Sequence, residues 1–249
     1  MESISEQDLL TRHIEPNHQV LVVGPHYIHA DPSPLFVCSI VKKPKGGVTF
    51  LDAQSKWAMN TLNKAFTGKK LLKSLGNNAQ TKKLFAARVF LSRNLAEGTA
   101  GDPVSYRAGL REYKRTNGID IISPKIWLGD ANETQLPANS FDSILDRGSA
   151  WFILGHTHTF EENFNREAAL EKTKNLLNEY LRVLKPGGKA ILLFGKLSST
   201  REFKQIILTA AQNIGNIMEH KISSSVYHIG SNRHSPQFSN NHALVITKV

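Results

Sequence analysis

A single cysteine, Cys38, is all the thiol chemistry this 249-residue chain carries. An intramolecular disulfide is therefore excluded, and a reducing, cytoplasmic setting is the expectation. Long hydrophobic runs are also missing. The longest, "LFVCSIV" and "AILLF", fall far short of the roughly 20 apolar residues of a membrane-spanning helix, so no membrane partner is expected. The opening "MESISEQDLL" is polar and acidic and lacks the basic-then-apolar order of a secretory signal. Repeats and low-complexity tracts are absent as well. What remains is 40% hydrophobic, enough for a sizeable core, and the length suits one domain over residues 1–249.

Acidic residues are scarce in one segment only. Between Ser55 and Gly118 there are 13 Lys/Arg against 3 Asp/Glu, while the rest of the chain is balanced, so this segment carries the whole net charge of +10. Such an excess suits a nucleic acid or another acidic partner. It equally suits a solvated lysine-rich helical face, because the interleaved aromatics and glycines of an RNA-binding surface are lacking.

Three β-branched runs, "VLVV" (20–23), "VTFL" (48–51) and "AILLF" (190–194), are hydrophobic at successive positions, as strands buried on both faces must be. "KIWLGD" and "FDSILD" read as two further strands, and "KISSSVYHIG" with "HALVITKV" as an antiparallel terminal pair joined by "SNRHSPQFSNN". Helical patterns alternate with them. One is expected from Thr159, with Glu162 completing a capping box, to "LKPGG", where Pro186 stops it and Gly187 and Gly188 turn the chain. The alternation predicts an α/β, Rossmann-like, mostly parallel sheet with helices on both faces. The stretch after the second strand is too long for one crossover. It reads as a helix ("SKWAMNTLNKAF") followed by a basic, mostly helical insertion or lid over about 67–118.

Ligands of such sheets bind beyond the carboxyl ends of the strands. Those ends carry Gly24, Asp52, Asp130, and Asp146 with Arg147. A carboxylate ending the second strand can accept two hydrogen bonds from a ribose diol, and one after the third can accept from an exocyclic amine.

Together these residues resemble those of class I S-adenosylmethionine-dependent methyltransferases of the small-molecule type, over roughly Gln19 to Phe194. The stretches that carry the likeness are "GDANETQLPANSFDSILDRGSAWF" and "LNEYLRVLKPGGKAILLFG", with "VTFLDAQ" as the ribose-binding strand. The resemblance implies a seven-stranded sheet and S-adenosylmethionine as cofactor. It places Asp52 on the ribose, Ala53 near the adenine, Asp130 and the backbone of Ala131 on the adenine amine, and Arg147 and Gly148 near the methionine end. The opening turn departs from the family pattern, which has an acid in the first strand and alternating glycines. Aligned on Gly24, this chain has Val22, His26 and Ile28 at those positions. Three readings follow: a rebuilt cofactor loop in which His26, Tyr27, His29 or Asp31 supply contacts, a fold retained without cofactor binding, or a different ligand such as a dinucleotide. The glycine spacing speaks against the last at least as strongly.

Methyl transfer chiefly requires positioning of the nucleophile and sometimes a base for its proton. The candidate bases are His156 and His158 in "LGHTHTF", and His26. A His-x-His surface turn explains the first two equally well, and no third ligand is spaced for a metal. Trp151, Phe152 and Phe160 suit either a pocket lining or burial against helices. The expected function is methyl transfer to a small or medium-sized acceptor. The alternatives are a binding or scaffold protein of the same fold and a methyltransferase acting on RNA or another polyanion through the basic insertion.

Overall fold

Four successive residues, Val20 to Val23, are almost wholly inaccessible to solvent, and they form an interior strand of the sheet. The structure is a computed structural model describing residues 2–24, 33–52, 122, 124–147, 165–195, 200–212, 214–223 and 240–249. In chain order its elements are β1 (Glu2–Ile4), α1 (Glu6–His13), β2 (Gln19–Val23), α2 (Ser33–Ile40), β3 (Gly47–Asp52), β4 (Lys125–Leu128) and β5 (Phe141–Arg147). After these come α3 (Arg166–Val183), β6 (Leu184–Gly195), α4 (Thr200–Ala211), β7 (Asn216–Ile222) and β8 (Asn240–Thr247). The strands form one sheet in the order β1-β7-β8-β6-β5-β2-β3-β4. All neighbouring strands are parallel except β8, which runs antiparallel to both β6 and β7. This is the Rossmann-like sheet with a reversed terminal strand that the resemblance implied, extended by a short eighth strand, β1, at the edge beside β7.

The continuous apolar runs are explained by the two faces. Leu21, Val23, Ile144, Ala190, Leu192, Leu244 and Ile246 join a core with Leu176, Leu177 and Tyr180 of α3 and Ile206, Ile207 and Ala210 of α4. The intervening residues Val20, Val22, Leu145, Ile191, Leu193, Ala243 and Val245 join the opposite core with Leu9 and Leu10 of α1 and Val37 and Cys38 of α2. Strand periodicity thus divides each run between two helical layers. Each Val or Leu so buried stabilises the fold by about 1.5–3 kcal/mol before chain entropy is charged against it. Among the described residues no helix is long and apolar enough to cross a membrane.

Three local expectations are corrected. The long helix begins at Arg166 rather than Thr159, because Asn165 is extended and its side chain caps Ala168 N–H at 3.0 Å. Thr159 and Glu162 lie outside the described residues. "LKPGG" is a bulge within a strand pairing rather than a turn before it. Phe141 pairs with Leu184 and Ser143 with Lys189, so the intervening residues of β6 loop outward. Gly187 adopts φ +74°, and a Cβ on Gly188 would lie 2.8 Å from Lys185 O, so both glycines are required there. The penultimate strand is "NIMEHKI" (216–222), not "KISSSVYHIG", which shares only Lys221 and Ile222 with it. Its exposed Met218 and buried His220 mask the hydropathy pattern expected of a strand. The last strand starts at Asn240, slightly before "HALVITKV". The helix "SKWAMNTLNKAF" and the basic insertion at 67–118 lie outside the described residues, as does most of the connector "SNRHSPQFSNN".

Candidate functional site

The carboxyl ends of the central strands are brought level by their register. Val23 is opposite Leu51 on one side and Asp146 on the other, and Asp52 is opposite Leu128. Gly24 follows at φ +59°, its N–H still donating to Leu51 O at 2.9 Å. Gly24 thus follows β2 in a conformation that favours glycine. On either side of this point lie Asp52, the last residue of β3, and Arg147, the last of β5. The parallel crossovers diverge between β2 and β5, which is where open α/β sheets bind ligands.

Asp130 stands two residues beyond the end of β4, exposed, with Oδ1 accepting from Asn132 N–H and Nδ2 at 2.9 Å each. This Asx-type turn fixes the carboxylate at the rim of the crevice. Ala131 beside it is 6% exposed and packs into the core beneath. The fold thus brings Gly24, Asp52, Asp130, Ala131 and Arg147 to one end of the sheet. His26, Ala53, Gly148, His156 and His158 lie outside the described residues, as do Tyr27, His29, Asp31, Trp151, Phe152 and Phe160. Val22, at the position where the family pattern has an acid, is fully buried among Val20, Val48 and Phe50 on the α1–α2 face. Its side chain is part of the core.

The loop after β4 is held by groups that the sequence reading did not single out. Glu179 of α3 accepts from Thr134 N–H at 2.9 Å and from Thr134 Oγ1 at 2.5 Å, and its two oxygens receive Arg182 at 2.7 Å. Arg182 also donates to Leu136 O at 2.7 Å. Burial would raise the Glu179 carboxyl pKa, but the hydrogen bonds from Arg182 and Thr134 outweigh it and hold the pKa below its ordinary value. At the end of β5, Asp146 is buried and its Oδ2 accepts from Tyr180 Oη at 2.8 Å. The available signal was a Tyr and a Glu on the inward stripe of α3, since buried hydroxyls and carboxylates demand partners.

The two stretches that carry the resemblance meet at the opposite end of the sheet. Asp142 of "NSFD" accepts from Gln19 N–H and from Lys185 of "LKPGG", each at 2.7 Å. Against the raising effect of burial, these bonds lower its pKa. Near the same end, His13 is buried with Lys189 Nζ 3.3 Å from Nδ1 and the His220 ring centroid 6.2 Å from its own. Desolvation first, and then Lys189, His220 and Arg12, lower its pKa to about 4. Among the described residues no group of three or more His, Cys, Asp or Glu is arranged to hold a metal ion.

No family model matches the chain, and no curated protein does. Among solved structures it is similar to a SAM-dependent methyltransferase of Methanosarcina mazei, with 10% identity, 99% of each chain covered and a TM-score of 0.47. A SAM-dependent methyltransferase of Aquifex aeolicus matches at 12% identity, covering 98% of this chain and 90% of that one, with a TM-score of 0.46. A methyltransferase of Pyrococcus furiosus matches at 13% identity, with 97% and 80% covered and a TM-score of 0.44. At such identities these chains lend no residue-level correspondence.

Proposed function

We propose that the chain is an S-adenosylmethionine-dependent methyltransferase acting on a small or medium-sized acceptor. The observation that carries this reading is the level row of strand ends, in which an acid closes the strand beside Gly24 and a second, fixed acid stands beyond the next strand. This donor and acceptor set fits an adenosylated ligand. In this reading Asp52 accepts from the ribose hydroxyls, and Asp130 with the backbone of Ala131 meets the adenine edge. Arg147, at the end of β5, borders the end where the methionine portion would lie. When bound, the cofactor supplies a methyl group on a sulfonium, the good leaving group that makes displacement feasible without a covalent enzyme intermediate. The protein's contribution is to hold the two reactants in line and to exclude competing water. The proton released by the acceptor passes to a base or to water; His156, His158 and His26 are the chain's histidine candidates.

Calorimetric titration of the folded chain with S-adenosylmethionine and S-adenosylhomocysteine tests the reading, which predicts saturable binding of both. Absence of binding at about millimolar ligand, well above common cofactor affinities, would leave the fold-retaining binding protein as the better account. Action on a polyanion through the basic insertion makes a separate prediction: binding that weakens steeply with added salt, which a small acceptor does not require.

A further inference from the structure

We infer that Glu179 is a positioning residue for the adenine end of this site, acting through Thr134 on the loop from Asp130 to Leu136. The inference rests on the methyltransferase reading and extends it to a side chain remote from the strand ends. Beyond the Asx turn that orients the Asp130 carboxylate, the loop has little pairing of its own, a bridge between Asp130 and Glu133 with Glu133 N–H donating to Asp130 O at 3.1 Å. Its upstream end is fixed by β4. Its downstream end is fixed almost entirely from α3 and Trp127. Thr134 gives both its N–H and its hydroxyl to Glu179, its Oγ1 accepts from Leu136 N–H at 3.1 Å, and its carbonyl accepts from Trp127 Nε1 at 2.8 Å.

Between these anchors Gln135 adopts φ +57°, a left-handed conformation that a non-glycine residue holds only when its neighbours over-determine it. Both neighbours are so determined: Thr134 by Glu179, and Leu136 by Arg182, whose guanidinium is itself oriented by Glu179. A carboxylate with no place in the crevice therefore sets where Asp130 and Ala131 stand relative to a bound base. Without it, the left-handed turn at Gln135 relaxes and the short segment back to Asp130 keeps only the Trp127 bond as its downstream anchor. The ribose side of the site, built on β3, keeps its geometry.

The test compares two ligands on the full-length chain: S-adenosylhomocysteine and its 6-oxo analogue S-inosylhomocysteine, which lacks the exocyclic amine. Wild type is expected to favour the adenine ligand by about tenfold or more, because the 6-oxo group cannot donate the hydrogen bond that the exocyclic amine gives. Glu179→Ala should weaken the adenine ligand about tenfold and the analogue less than about twofold, so discrimination collapses. Glu179→Gln should stay within about threefold of wild type, because its amide oxygen can still accept from both Thr134 donors. Thr134→Val, which removes only the hydroxyl, should lower discrimination in the same direction and decides the matter if Glu179→Ala does not fold. Failure of wild type to bind S-adenosylhomocysteine brings down the methyltransferase reading, and this inference with it. If wild type binds, the inference alone is overturned by any of three results: no base preference in wild type, unchanged preference in the folded variants, or equal loss for both ligands.

Discussion

Tyr180 donates its phenolic hydrogen to Oδ2 of Asp146 at 2.8 Å, and both side chains are buried, so the carboxyl end of β5 is tied to α3 by a charge-assisted hydrogen bond. Tyr180→Phe removes that donor with little change in packing. It should lower unfolding free energy by about 1–3 kcal/mol, as read by urea denaturation at neutral pH. An unchanged midpoint would show that the carboxylate is satisfied without the phenol.

Asp142 offers a contrast, because its partners join the start of β2 to the glycine bulge at the other end of the sheet. Asp142→Ala should cost about 1–2 kcal/mol of stability at pH 7, discounted for its partial exposure, and leave S-adenosylhomocysteine affinity within about twofold. Its folded pKa is depressed, so the contribution is present above the ordinary value of 3.8 and is lost as pH falls through the lower folded value. The gap between wild type and variant should therefore close in acid denaturation profiles as pH falls below 3.8 and through the lower folded value.

His13 acts over a different pH range. With a folded pKa of about 4 against an ordinary 6.5, the native state excludes a proton that the unfolded chain accepts between those values. Stability should rise with pH across that interval and level off above it, the change between about pH 4.5 and 7 amounting to about 2 kcal/mol. His13→Leu should flatten this part of the profile, measured as the difference from wild type in chemical denaturation. A variant as pH-sensitive as wild type over that interval would assign the effect elsewhere.

At the crevice, Asp52→Ala and Asp130→Ala should each weaken S-adenosylhomocysteine binding by about 1–3 kcal/mol. Asp52 ends its strand and Asp130 lies beyond its own, and the cores of both strands are intact without the carboxylate, so thermal midpoints should move little. Retained affinity in Asp52→Ala would remove the ribose from the end of β3.

The sheet was legible because burial on two faces writes itself as uninterrupted apolar residues, and "VLVV", "VTFL" and "AILLF" all became strands paired on both sides. The strands at the margins were harder. β1 has three residues and no hydropathic period, and β7 mixes Met218, Glu219 and His220 because a strand near the edge faces varied surroundings. Asp52 and Asp130 were legible as strand-end positions, but the contacts among Glu179, Arg182 and Thr134 were not. Their partners lie more than forty residues apart, and a helix pattern does not reveal which polar side chain turns inward to meet a distant loop. The motifs that made the resemblance specific, "NSFD" and "LKPGG", bolt β2, β5 and β6 together at the end of the sheet away from the crevice. They report the framework, whereas the altered positions after Gly24 lie outside the described residues.

The three-residue strand β1 pairs Glu2 with His220, Ser3 with Lys221 and Ile4 with Ile222. Among the described strands β1 comes first in the chain, yet it can be placed only after β7, which is synthesised after all the others but β8. Closing so large a loop defers the docking of that margin, although α1 can already cover the α2 side of β2. During synthesis β7 and β8 would meet as a local antiparallel pair with one flank open, and β1 would arrive to cover it.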